Sequence, residues 1–145
     1  MSKADVSVGA LVFNSEKGFL FLKRKDKPTT WEFPKGHIEE FETELDTLKR
    51  ELNEECKITD FELLAGFRKK SSYPKQNFTR VVIVYLIKTN QKPQLSNEHE
   101  EYKWLSPEDA RLLLEELYSK NQMKYVQWLR IFDEAVNYLR SNNYL

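Results

Sequence analysis

The sequence predicts a mixed α/β domain built in layers, with helices packed against a sheet. Three observations carry this. Residues 80–89 (Arg-Val-Val-Ile-Val-Tyr-Leu-Ile-Lys-Thr) form an almost continuous apolar run, the pattern of a strand buried on both faces. Between Glu42 and Cys56, Leu45, Leu48, Leu52 and Cys56 recur at spacings of three and four, which gives a helix one narrow buried stripe. Two further helical patterns follow residue 105, and no internal repeat or low-complexity tract interrupts the chain.

Each element has a local reason. Val6 to Phe13 reads as a first strand, residues 14–18 (Asn-Ser-Glu-Lys-Gly) as a turn, and Phe19 to Lys25 as a second strand closing a hairpin. The basic end of that hairpin, Lys23-Arg24-Lys25, is expected on a solvated strand end. Residues 26–30 are loop. Trp31-Glu32-Phe33-Pro34 is a short extended piece, because a residue before proline is steered away from the helical region, and Trp31 and Phe33 are assigned to the core. Beyond the helix, residues 61–70 read as a strand, 71–79 as a polar loop bearing aromatic and basic residues, and 90–96 as another loop. Residues 101–105 form a short strand. Ser106 then caps a helix opened by Pro107 and running to about Tyr118. The last helix covers roughly residues 122–140, with Val126, Leu129, Phe132, Val136 and Leu139 near helical period.

Composition sets bounds. A chain of 145 residues with 40% apolar content is expected to form a single domain over residues 1–145, with a core that needs no disulfide or structural metal. Basic and acidic residues balance at 23 each, so no global field draws the chain to nucleic acid or to an anionic membrane. The lone Cys56 excludes an internal disulfide framework and a cysteine metal cluster, which suits a reducing compartment. Met1 to Asp5 lack the basic-then-apolar run of a signal peptide, and no stretch approaches the roughly 18 apolar residues of a membrane span. A soluble, cytosolic protein is the expectation. Oligomeric state is left open, with a monomer favoured.

The chemistry concentrates on the first helix. Glu51, Glu54 and Glu55 lie at i, i+3 and i+4, so their carboxylates cluster on one face beside the apolar stripe. Each such like-charge pair costs about 0.2–0.5 kcal/mol, and the C-terminal end of a helix disfavours anions. A solvated acidic face balanced by Lys49, Arg50 and Lys57 would tolerate this. A hard divalent cation would answer it better: Mg²⁺ takes carboxylate oxygens, keeps several waters and is completed by substrate phosphates.

The wider spacing is more specific. Gly36, Glu42, Arg50, Glu51, Leu52, Glu54 and Glu55 follow Gly-x5-Glu-x7-Arg-Glu-Leu-x-Glu-Glu, and the segment 36–58 resembles a Nudix box. That resemblance implies an α/β/α sandwich with a mixed sheet, and hydrolysis of a nucleoside diphosphate linked to another group. It implies that Glu51, Glu54 and Glu55 hold the metal (Mg²⁺, with Mn²⁺ as substitute) and that the Lys35 carbonyl adds a backbone ligand. Gly36, Glu42 and Arg50 take structural roles, Glu42 pairing with Arg50 to brace loop against helix. Two positions depart from the family pattern, since Phe41 and Lys57 stand where it usually carries glycine. If Lys57 is left-handed it costs about 1 kcal/mol; otherwise the helix exit has rearranged. No carboxylate is lost.

Three stretches outside the box resemble the asymmetric diadenosine tetraphosphate hydrolases within that family: Trp31 to His37, Leu95 to Trp104, and Phe67 to Leu86. The resemblance implies that Glu98 supplies a further ligand or orients the attacking water, that Tyr73 stacks on adenine, and that Lys35, Arg80 and His99 contact phosphate. Lys23, Arg24 and Lys25 would also lie near phosphate in such a fold. The substrate is then a dinucleoside polyphosphate, cleaved by water to ATP and AMP, with Glu51 or Glu98 taking the proton. An RNA 5′-pyrophosphohydrolase is the alternative enzyme, as Trp-x-Phe-Pro before the box also resembles that group, and nucleic acid is a partner only in that case. A nucleotide-binding sensor on the same scaffold is the non-enzymatic alternative, with Phe41 and Lys57 as its signs.

Overall fold

The computed structural model describes residues 3–27 and 29–145. Met1, Ser2 and Pro28 lie outside the described residues, and with them part of the terminal segment read above and one position of the 26–30 loop. The strands are β1 (Lys3–Asn14), β2 (Gly18–Arg24), β3 (Trp31–Glu32), β4 (Lys35–His37), β5 (Glu62–Lys75), β6 (Phe78–Lys88) and β7 (His99–Leu105). The helices are α1 (Glu44–Cys56), α2 (Pro107–Tyr118) and α3 (Gln122–Ser141).

The strands form one sheet in the order β3-β2-β1-β6-β5, with β4 added to β1 and β7 to β2. β1 and β6 run parallel, from Lys3 opposite Phe78 to Phe13 opposite Lys88. The other pairings are antiparallel, so the sheet is mixed. Because the central pair is parallel, both of its faces are covered. Leu11, Phe13, Val82, Val84 and Leu86 point to one side and pack with Leu114 of α2 and Trp128 and Phe132 of α3. Val8, Ala10, Val12, Val81 and Ile83 point to the other and pack with Leu48, Leu52 and Cys56 of α1. The result is the α/β/α sandwich, with α1 alone on one face. No helix among the described residues is long and apolar enough to cross a membrane.

Three local expectations are corrected. Residues 71–79 are not a polar loop: β5 continues to Lys75 and β6 begins at Phe78, paired from Ser71 opposite Val82 to Lys75 opposite Phe78. Gln76 (φ 53°) lies in the turn between them. The ladder joins backbone groups and tolerates polar side chains, and Pro74 is permitted because β5 is an edge strand where a missing N–H is harmless. Leu45 does not join the buried stripe of α1 but stays 40% exposed, in the first turn. Val126 is likewise exposed, and the buried stripe of α3 runs through Tyr125, Trp128, Ile131, Phe132, Ala135, Val136 and Leu139.

The ends of α1 fix the loops around it. Thr43 is its N-cap and forms a reciprocal capping box with Asp46. At the other end Lys57 is left-handed (φ 57°), so the exit keeps its turn without glycine. The N–H groups of Lys57 and Ile58 donate to the carbonyls of Asn53 and Leu52. Gln94 and Ser96 donate to the carbonyls of Cys56 and Glu55, which satisfies helix-end acceptors and docks the 94–98 segment against the helix.

Candidate active site

The site begins at Gly36. A Cβ built there would meet the Glu51 carboxyl carbon at 2.0 Å, so glycine is required by space, because β4 passes directly beneath the carboxylate. Arg50 holds that carboxylate from the side. Its Nη1 donates to Glu51 Oε1 at 2.7 Å, its Nε and Nη2 donate to the two oxygens of Glu42 at 2.7 and 2.9 Å, and Nη2 also donates to the His37 carbonyl at 2.9 Å. The guanidinium fork thus ties loop, strand and helix together. It also holds the Glu42 carboxyl down to about 2.

Glu51 and Glu55 are 9% and 5% exposed, although both are acidic. Burial pushes the Glu51 carboxyl up against the opposing pull of Arg50. Burial also pushes Glu55 up, and the neighbouring charges of Glu32 and Glu51 add to it. Its Oε2 is buried without a hydrogen-bond partner. Arg50 answers part of the Glu51 charge, but the Glu55 oxygen has no partner, and two desolvated carboxylates with such an oxygen fit a hard cation. Glu54 is exposed beside them, and exposed Glu98 borders the same cavity of about 850 Å³. Lys35, Gly36, Arg50 and Arg80 also line that cavity.

Glu32 and His99 stand behind Glu55. His99 Nε2 lies 3.0 Å from Glu32 Oε1 and 4.0 Å from Glu55 Oε2, and one donor atom each from Glu32, Glu55 and His99 falls within 4.8 Å of the others. Burial opposes ionisation of Glu32, but the His99 hydrogen bond, Lys35 at 3.3 Å and Arg24 at 3.8 Å hold it down to about 2. The three buried donors form a tight group, of which Glu32 and Glu55 also line the large cavity.

The expected site residues therefore divide. Glu51, Glu54, Glu55, Glu98, Lys35, Gly36, Arg50 and Arg80 share one cavity. Tyr73 does not border it. With Lys75, Lys124 and Tyr125, Tyr73 lines a second cavity of about 250 Å³, which shares Arg24, Glu32, Lys35 and Arg80 with the first. Burial raises the Tyr73 hydroxyl above its ordinary value. Glu42 sits behind Arg50. The His99 side chain is 1% exposed, so the phosphate contact expected of it gives way to its bond with Glu32. Arg80 carries Asp5 at 2.6 Å. Of the basic strand end, Arg24 and Lys25 border the large cavity, whereas Lys23 pairs with Glu100 at 3.3 Å.

The NUDIX domain profile matches residues 3–129. The chain belongs to the Nudix family. Among relatives, the asymmetrical bis(5′-nucleosyl)-tetraphosphatase of Mus musculus is 35% identical over 102 residues, 67% of this chain and 69% of that protein. An RNA pyrophosphohydrolase of Ruthia magnifica is 37% identical over 87 residues, 60% of this chain and 45% of that one. Among solved structures, a C. elegans Ap4A hydrolase binary complex superposes with a TM-score of 0.80 at 24% identity, covering 94% of this chain and 98% of its own, a likeness of fold.

Both residues at the unusual Nudix-box positions adopt positive φ, Phe41 at 67° and Lys57 at 57°. The backbone keeps a glycine-like path with side chains attached. Sequence reasoning missed Glu32 as a site residue. The signal was present, since strand alternation in Trp31-Glu32-Phe33 puts Glu32 on the side opposite two aromatic residues. Asp5 and Lys124 offered no comparable signal, because only the tertiary fold brings Asp5 to Arg80 and Lys124 to the second cavity.

Proposed function

We propose that this Nudix hydrolase cleaves diadenosine tetraphosphate asymmetrically, by in-line attack of water, to ATP and AMP, using Mg²⁺ with Mn²⁺ as a substitute. One observation carries the reading: a carboxylate-lined cavity shares the walls Arg24, Glu32, Lys35 and Arg80 with a cation-lined one that is bordered by the ring of Tyr73. The first suits a cation on the scissile phosphates, the second the remaining polyphosphate and a purine.

Glu51, Glu54, Glu55 and Glu98 would hold the cation, with the Lys35 carbonyl as a backbone ligand. A divalent cation bound there supplies charge neutralisation and Lewis-acid polarisation of the phosphoryl group. The chain's own groups do the rest. Arg50 fixes the rotamer of Glu51, and Gly36 leaves room for it. Glu32, held by His99, places a second buried carboxylate beside Glu55. Arg80 and Lys35 bind phosphate oxygens, and Tyr73 stacks on the base, a contact that adds about 0.5–1.5 kcal/mol beyond burial. Glu51 or Glu98 accepts the proton of the attacking water. The 35% identity to proteins named for asymmetrical tetraphosphatase activity supports this substrate. A small dinucleotide substrate also suits the expected cytosolic location.

A second reading has a specific observation behind it, the 37% identity to an RNA pyrophosphohydrolase. Both are tested by chromatography of products from diadenosine tetraphosphate and from 5′-triphosphate RNA, with Mg²⁺ present and Glu55→Gln as control. Equal ATP and AMP, lost in the variant, is the expected outcome. Two ADP would remove the asymmetric assignment, and turnover of RNA alone would move the substrate to the second reading. Tight binding with no turnover of either would make the protein a nucleotide sensor.

A further inference from the structure

The smaller cavity holds more positive charge than its own carboxylates answer. Lys35 and Arg80 stand on its sheet side, Lys75 comes from the β5–β6 hairpin tip, and Lys120 and Lys124 come from the α2–α3 junction. Lys35 is paired with Glu32 and Arg80 with Asp5. Among the described residues, Lys75, Lys120 and Lys124 have no ion-pair partner. Lys124 is half-buried, and its ammonium lies 5.1 Å from the Tyr125 ring centre and 4.8 Å from that of Trp128. Those rings are themselves core, Tyr125 at 4% and Trp128 at 3% exposure, so they fix the ammonium in place. Burial and then repulsion from Lys35 pull Lys124 down to about 7 against the attraction of Glu32, with Arg80 and Lys75 adding to the fall. A desolvated cation among cations is unfavourable until an anion lies between them.

Its position decides what that anion is. Arg24, Lys35 and Arg80 border both cavities, but Lys124 borders only the one away from the carboxylates. A phosphate chain cleaved at Glu51, Glu54 and Glu55 meets the shared cations first. Phosphates beyond those would lie toward the wall that Lys120 and Lys124 form. We propose that Lys124 is a specificity-determining residue that selects substrates with the longer phosphate chain, closing on the phosphates farthest from the scissile bond. The inference rests on the polyphosphate hydrolysis proposed above.

The test compares wild type with Lys124→Met, which keeps the apolar stem over the two rings, on dinucleoside tetraphosphate and triphosphate. The expected result is a KM for tetraphosphate raised about tenfold, the scale of one charge-assisted contact. The values of kcat and of KM for triphosphate should stay within about twofold. Lys124→Arg, with its charge restored, should recover the preference. Equal effects on both substrates, a loss confined to kcat, or no change would each overturn the assignment. If wild type hydrolyses neither substrate, the hydrolase reading fails first, and calorimetry with inorganic tripolyphosphate decides the residue separately. Binding about tenfold weaker in Lys124→Met would support the site, and equal or absent binding would overturn it.

Discussion

At the residue scale, Phe41 and Lys57 carry a cost the fold does not require. Both are left-handed, and Phe41 is 95% exposed, so its side chain returns little by burial. A non-glycine residue in this region costs roughly 1–2 kcal/mol. Phe41→Gly and Lys57→Gly should each raise stability by about 1 kcal/mol, offset in part by the added freedom of glycine in the unfolded chain. Chemical denaturation of the two variants checks this, and a fall in midpoint for both would show that the side chains make contacts outweighing the strain. Gly36 is the contrasting case. Its replacement by alanine should push Glu51 out of place and reduce activity, because the clash is with the carboxylate itself.

At the element scale, α1 is a platform whose two ends are fastened separately. Its N-terminal end is held by the Thr43 capping box and by Glu44, which accepts from Tyr85 at 2.5 Å and from Arg68 at 2.8 and 2.9 Å. Its C-terminal end is held by the 94–98 segment. Arg50 joins the middle to the loop before it. Arg50→Lys keeps the charge but has no planar fork to serve Glu42, Glu51 and the His37 carbonyl together. The expected outcome is a metal affinity weakened about 10–100-fold, the usual scale for a group orienting a ligand, with a lower melting temperature. Titration with Mn²⁺ followed by calorimetry measures it, and an unchanged affinity would show that Glu51 needs no brace. The β5–β6 hairpin is the other positioning element. It holds Tyr73 on the wall of the second cavity, and Tyr73→Ala should raise KM up to about tenfold with kcat retained.

At the scale of the whole molecule, the buried carboxylates make stability depend on pH and on metal in one direction. Glu55 has a folded value raised above its ordinary 4.5. Its protonated form is preferred by the folded chain, so this contribution is fully present below about pH 4.5 and is lost as pH rises toward the folded value. Without divalent cation, the melting temperature should therefore fall between pH 5 and 8 by more in wild type than in Glu55→Gln. Added Mg²⁺ or Mn²⁺ should reverse the fall, because binding to the folded state alone stabilises it. Glu42 works in the opposite sense: its value is held near 2, so its stabilisation is present above about pH 4.5 and lost as pH drops toward 2. Melting curves across this range, with and without metal, test both signs. A profile that metal leaves unchanged would count against a cation among Glu51, Glu54, Glu55 and Glu98.

Local chemistry by itself determined a good deal. The period of Leu48, Leu52 and Cys56 specified a helix, the apolar run of residues 81–87 a central strand, and the spacing from Gly36 to Glu55 a family, since each depends on neighbours along the chain. Tertiary structure decided the rest. Backbone pairing across the sheet turned residues 71–75 into strand, and the edge position of β5 made Pro74 acceptable. Packing brought His99 to Glu32 across 67 positions and Arg80 to Asp5 across 75. It also set Lys124 of α3 among Lys35, Lys75 and Arg80 from three strands and Lys120 from a loop. No periodicity encodes such meetings, because they follow from which faces the sandwich brings together.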